Sequence, residues 1–195
     1  MSFVMMAEIG RPRDRRIDGA VLAATVDLLG ESGYSALSVD AIARRAGTSK
    51  PAIYRRWPSK AHLVHEAAFP IGAATELPDT GSLASDIREM LRRSVAVLST
   101  PAARAALPGL LAEMADDSTL HAALLERFGD VLTRGIGERL GAASARGEVR
   151  AEVTATDLTE LVAGMALFGA LALGRELNPE WIERHATLIL KGIGT

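Results

Sequence analysis

The 195-residue sequence predicts an all-α fold, with a three-helix helix-turn-helix domain ahead of a larger C-terminal helical bundle. Three observations carry that expectation. Apolar residues recur at three- and four-residue intervals, and no stretch shows the two-residue alternation of a half-buried strand. Aromatic residues are only 4% of the chain while Ala, Leu and Arg are abundant, a mix that favours helix over sheet. Glycines and prolines fall between the periodic stretches, at Gly33, Gly47, Pro58 and Asn178-Pro179, where helices are punctuated.

Taken in order, the first helix runs from about Asp14 to Glu31. Ile17, Ala20, Val21, Ala24 and Leu28 keep helical spacing and Gly33 stops it. Ser38 caps a second helix through about Ala46, with Asp40 in its first turn and Gly47 at a position suited to a left-handed C-terminal residue. A short third helix follows, capped by Thr48 or Ser49, with Pro51 in its first turn and Pro58 closing it after Trp57. Ser59 caps a fourth helix to about Phe69, and Pro70 to Ser82 reads as a linker. Five longer helices are expected at about Leu83–Thr100, Ala102–Ala115, Thr119–Arg146, Ala155–Arg175 and Pro179–Lys191.

Composition narrows the function. With no cysteine, disulfides, thiolate metal sites and a cysteine nucleophile are excluded. The longest apolar run, Leu161 to Leu173, has 13 residues, too few to span a bilayer as a helix. With a poor match to a signal peptide at Met1 to Gly10, a cytoplasmic protein that does not enter a membrane is expected. His62 and His65 are spaced i,i+3, but no carboxylate or thiolate set accompanies them and no metal is expected. No phosphate loop, nucleophile elbow or paired-acid motif stands out, so neither an enzyme nor a cofactor is expected. The net charge of −2 hides a division. Arg11 to Lys60 holds 10 Lys and Arg against 5 Asp and Glu, whereas Ala61 to Thr195 holds 12 against 18. A basic end on an acidic body is the footprint of a small phosphate-contacting part.

The informative segment runs from Ser38 to Lys60. Ile42, Ala43 and Ala46 make one small apolar face, Ile53 closes it from the third helix, and Lys50, Ala52, Arg55 and Arg56 are left to point outward. A helix bearing cations and little bulk fits the major groove. Gly47-Thr-Ser-Lys-Pro-Ala-Ile-Tyr-Arg-Arg-Trp-Pro-Ser-Lys60, together with Arg11-Pro-Arg-Asp14 and Gly33-Tyr34, strongly resembles the DNA-binding domain of TetR-family repressors. The resemblance implies a DNA-binding domain at residues 11–68 and a ligand-sensing, dimerising domain at 69–195 with two dimerisation helices. It implies phosphate contacts from Ser38, Thr48, Tyr54 and Lys60, and base-edge contacts from Lys50, Pro51, Ala52 and Arg56. Asp40 stands where the founding repressor reads a base with arginine, so that contact does not carry over. The basic arm around Arg13 reads either as a DNA contact or as a solvated charge run.

Beyond the linker, Met90, Ser94, Val97, Leu110, Met114, Leu124, Phe128, Met165 and Phe168 are candidates to line an apolar pocket for a small-molecule effector. Arg93 and Glu113 are further polar candidates on inward faces. The segment 155–175 is apolar around most of its circumference, and its small residues permit close helix contact. Leu161, Gly164, Leu167 and Leu171, with Trp181, Ile182 and Ile189 of the last helix, are the expected homodimer interface. The leading reading is a ligand-responsive repressor of double-stranded DNA at a palindromic operator. An all-helical small-molecule carrier or scaffold that no longer binds DNA is the alternative.

Overall fold

The computed structural model describes residues 15–70 and 77–195; Arg13, and the side chains of residues 15 and 127–132, Phe128 among them, lie outside that description. The described residues form nine helices, numbered here in chain order. They are α1 (Arg15–Ala36), α2 (Val39–Arg45), α3 (Lys50–Tyr54), α4 (Lys60–Ala68), α5 (Leu83–Leu98), α6 (Pro101–Asp116), α7 (Ser118–Ala145), α8 (Ala155–Leu171) and α9 (Pro179–Ile193). The one β-type pairing among them is an isolated bridge between Val149 and Gly194.

Capping side chains set the starts. Ser38, Ser49, Ser59, Ser82, Thr100, Asp117, Thr154 and Asn178 each accept a backbone N–H from the first turn of the helix they precede, satisfying donors that otherwise have no partner. Ser49 rather than Thr48 is thus the cap of α3. Gly33, with φ of 72°, breaks α1 near its end. Helix α3 ends at Tyr54, three residues before the expected Trp57, and a turn carries the chain on through hydrogen bonds from Arg56 N (2.8 Å) and Trp57 N (3.0 Å) to the Ile53 carbonyl. Helix α8 stops at Leu171, four residues before the expected Arg175.

Two apolar cores organise these helices. The first gathers Val21, Leu29, Tyr34, Ile42, Ile53, Trp57, Leu63 and Phe69 from α1 to α4 with Ala103, Leu107 and Leu110 of α6 and Leu120 and Leu124 of α7. The second gathers Ile87, Met90 and Leu91 of α5, Ile136 and Leu140 of α7, Leu158 and Val162 of α8, and Trp181 and Ile189 of α9. Helix α6 therefore packs as part of the N-terminal core although it lies far along the sequence, and α7 spans both. Helices α5 and α6 meet at 83°. Among the described residues no single helix is long and apolar enough to cross a membrane.

Candidate nucleic-acid interface and pocket

Helices α2 and α3 meet through a turn whose geometry depends on Gly47. Its φ is 65°, a left-handed conformation that costs glycine little. That conformation lets Gly47 N–H reach the Arg44 carbonyl at 3.3 Å and Thr48 N–H the Ala43 carbonyl at 2.9 Å, the paired bonds of a Schellman cap. Pro51 sits in the first turn of α3, where its missing N–H leaves no bond unmade. Ala52 and Ile53 are buried against α2, so Lys50, Pro51, Tyr54 and Arg55 form the outward surface of this helix and turn.

Two expected outward residues are therefore placed differently. Ala52 faces the core, since a five-residue helix anchored by Ile53 has little circumference to spare. Arg56 folds back to pair with Asp18 of α1 and donates from Nη1 to the Ala52 carbonyl at 3.1 Å. Its side chain is only 17% exposed, and Arg55 is the exposed member of the pair. Trp57 is buried, its indole N–H donating to Glu66 Oε2 at 2.9 Å. Tyr54 stands 43% exposed. Lys50 bridges to Asp40 at 2.8 Å with both side chains largely in solvent, a weak surface contact that a competing anion can displace. The Asp40 carboxylate raises the Lys50 pKa, so this cation is retained. Ser38 is exposed and Thr48 half-buried.

Lys60 occupies a more enclosed position. Its Nζ donates to the Tyr34 carbonyl at 3.3 Å, lies 4.0 Å from the centre of the Tyr34 ring, and stands 3.9 Å from Glu113 Oε1 of α6. The Tyr34 hydroxyl faces the same carboxylate without a well-formed hydrogen bond; burial, then Glu113, pushes its pKa well above the ordinary phenol range. A Cβ on Gly109 of α6 would fall on the Tyr34 ring, 2.5 Å from Cγ. The sequence reading missed this joint of α1 and α4 with α6. Its one signal was Pro108-Gly109 inside a helical stretch, a pair that makes sense only if a neighbour needs the space.

Glu113, expected among the inward polar groups, thus faces Lys60 rather than the cavity. That cavity, about 300 Å³, opens between the two cores. Met90, Ser94 and Val97 of α5, Leu110 and Met114 of α6 and Leu124 of α7 stand on its wall. His65 of α4, Phe69 at its C-cap, and Thr159, Val162 and Ala163 of α8 also line it without having been anticipated. Met165 and Phe168 do not reach it. On α8 the cavity side is Thr159, Ala163 and Leu167, and Met165 is turned about 200° from Ala163. Met165 packs against the second core and Phe168 is 60% exposed.

The residues expected at a subunit interface are also divided. Leu161 and Gly164 are exposed, whereas Leu167 is half-buried and lines the cavity with Gly164. Leu171 packs against the first core and Ile182 against the second. Trp181 and Ile189 are buried inside this chain's own second core, Trp181 stacked on His185 at 3.9 Å, so neither is a free surface. The exposed apolar side chains nearby are Leu161, Phe168, Leu173 and Leu188.

Comparison with known proteins places this arrangement. Residues 21–67 match the family described as bacterial regulatory proteins, tetR family, and residues 77–189 match the tetracyclin repressor-like C-terminal domain. The chain belongs to the TetR family. An uncharacterized HTH-type transcriptional regulator of Bacillus subtilis, YdeS, is 30% identical, over 97% of this chain and 96% of its own length. The DNA-binding transcriptional repressor TetR of Mycobacteroides abscessus is 33% identical, over 85% of this chain and 87% of its own. The crystal structure of the TetR family transcription regulator SCO0332 superposes with a TM-score of 0.74 at 27% identity, covering 91% of this chain and 98% of that one. TetR-family proteins are DNA-binding regulators rather than enzymes, and this TetR-family chain is a helix-turn-helix transcriptional regulator.

Proposed function

We propose that the protein is a ligand-responsive repressor that binds a palindromic operator as a homodimer and is released by a small apolar or amphipathic effector. The observation that carries the reading is where the cavity lies. One of its wall residues, His65, belongs to α4, the helix that begins at Lys60, and another, Phe69, caps the end of that helix. Leu110 and Met114, on α6, flank Glu113, which faces Lys60. A molecule in the cavity thus touches both helices that hold this cation.

On this reading residues 11–68 read DNA and 69–195 sense and dimerise. Lys50, Tyr54 and Lys60 are proposed DNA contacts, with Ser38 and Thr48 at phosphates, Pro51 at base edges and Arg55 replacing Arg56. A second subunit is favoured by the exposed stripe Leu161, Gly164 and Phe168 along α8, continued by Ala172 at its C-cap. Two reading units about one duplex turn apart give the specificity that one five-residue helix lacks. The DNA task makes the cytoplasm the working compartment, and the repressor named among the relatives favours repression over activation.

The deciding experiment is selection of genomic fragments by the purified full chain, followed by footprinting. Recovery of one palindromic site, bound by two chains and released by a cavity-occupying compound, is expected. Weak, salt-sensitive binding to every duplex alike, as a carrier would show, or binding by a single chain, overturns the proposal.

A further inference from the structure

The cavity wall also defines the charge of what it accepts. Its surface is largely hydrocarbon, from Phe69, Met90, Leu110, Leu124, Val162 and Leu167. Among the described lining residues Arg93 is the one arginine or lysine, and its charge is already answered. Arg93 Nε donates to Glu89 Oε1 at 2.7 Å, one turn back on α5, with the two side chains 25% and 18% exposed. Glu89 also binds Arg92 through both carboxylate oxygens, at 2.6 and 2.7 Å. Arg92 first, then Arg93, lowers the Glu89 pKa to about 2, so it stays ionised across the working range. The Thr159 hydroxyl donates to its own helix, at the Ala155 carbonyl, 2.7 Å away. Among the described lining residues the other titratable side chain is His65, at the α4 end of the wall. An ionised ligand head would be taken out of water here while competing with Glu89 for Arg93, and burial without a dedicated counter-charge is heavily disfavoured.

From this wall we infer that the effector is an uncharged, hydrocarbon-rich molecule carrying at most a hydroxyl or carbonyl group, which meets Ser94. The inference rests on the ligand-responsive reading and sharpens it. Leu111 and Leu125, 40% and 54% exposed, stand at the rim of the cavity on α6 and α7 and give such a molecule an apolar way in.

Two dyes with one skeleton test it: neutral N-phenyl-1-naphthylamine and its sulfonate counterpart, 1-anilinonaphthalene-8-sulfonate. In fluorescence titrations of the full chain at pH 7.5 and fixed salt, the neutral dye is expected to bind at least tenfold more tightly. 1-Decanol should displace it, while decanoate should not. Ala163→Phe, checked for native helicity and melting, fills the cavity and should abolish the signal. Glu89→Gln, which removes the carboxylate that pairs with Arg93, should strengthen sulfonate binding and leave the neutral dye unchanged. If the sulfonate binds as well as the neutral dye and Ala163→Phe abolishes its signal, the neutral-ligand inference is overturned while the sensing reading stands. If neither dye binds, or Ala163→Phe changes nothing, both fall together.

Discussion

Replacing glycine by alanine inside a helix ordinarily stabilises a protein, and two positions here give that substitution opposite signs. Gly30 of α1 has nothing within 4 Å of where a Cβ would stand, so Gly30→Ala should add about 1 kcal/mol through helix propensity alone. A Cβ at Gly109 would lie 2.5 Å from Cγ and 2.8 Å from Cε1 of the Tyr34 ring, and closer still to Cδ1. That ring is only 7% exposed and is overlaid by Lys60, so it cannot swing away as an exposed side chain could. Overpacking of this kind costs about 1–3 kcal/mol, and the upper end applies to a rigid ring. Setting the gain of about 1 kcal/mol against it leaves a net loss of about 2 kcal/mol. At about 2–4 °C per kcal/mol for a chain of this length, Gly109→Ala should melt about 4–8 °C below wild type and Gly30→Ala about 2–4 °C above it. Circular dichroism melts at one fixed protein concentration read both shifts, since association makes Tm depend on concentration. If Gly109→Ala melts at or above wild type, α6 does not approach Tyr34 as described.

Further expectations concern DNA and pH. Lys60→Ala should reduce the slope of log affinity against log salt on any duplex by about 0.9 per subunit, whereas Lys50→Ala should also relax base preference at the operator, as competition with single-base variants would reveal. Glu113→Gln removes a carboxylate from beside Lys60, so ligand-free binding to a random duplex should tighten by up to about fivefold, the range of a partly exposed ion pair; unchanged anisotropy titrations would discount the contact. Glu89 titrates near 2 in the folded chain against an ordinary 4.5, so its stabilising contribution is complete above pH 4.5 and lost as pH falls towards 2. Denaturant midpoints of wild type and Glu89→Gln should therefore converge across that window, and a constant gap between them would count against the ion pairs.

Helix starts were legible because caps are local chemistry. Ser38 and Ser59 announce themselves in the sequence as caps and cap in the structure, and Asn178, read there only as part of a break, caps the last helix. Side-chain direction was less legible, for two different reasons. Helix α3 is five residues long, and a single anchor, Ile53, fixes its phase, which put Ala52 inside and left Arg56 to Asp18. Helix α8 is apolar around its circumference, so periodicity gave no phase with which to separate Met165 and Phe168 from Thr159, Ala163 and Leu167. Trp181 and Ile189 misled because a strongly amphipathic last helix has an apolar face whether it meets its own chain or another. The Gly109 joint left only the Pro108-Gly109 pair as a trace, because it depends on a contact between residues 34 and 109 that no local pattern encodes.

The division into two cores gives the proposed switch its mechanical basis. The helices of the N-terminal domain and α6 share the first core, whereas the exposed stripe of α8 stands on a helix whose buried residues Leu158, Val162 and Ala166 lie in the second, with Leu167 and Leu171 touching the first. The cavity lies on the seam between them, with Leu107 and Leu110 on one side and Met90 and Val162 on the other. An occupant that spreads the seam tilts the first core against the second, and in a dimer joined through α8 it changes the separation of the two reading units. Close-packed cores resist continuous deformation, so such a tilt moves each core largely as a body. On the proposed reading, DNA selects one separation and the effector another. The coupling is then the difference in effector affinity between the two arrangements, about 1–3 kcal/mol in typical cases. A molecule that occupies the cavity without spreading the seam would bind tightly and release nothing. Affinity for the cavity and release from DNA are therefore separable quantities, and a ligand series that grows in bulk at constant polarity should separate them.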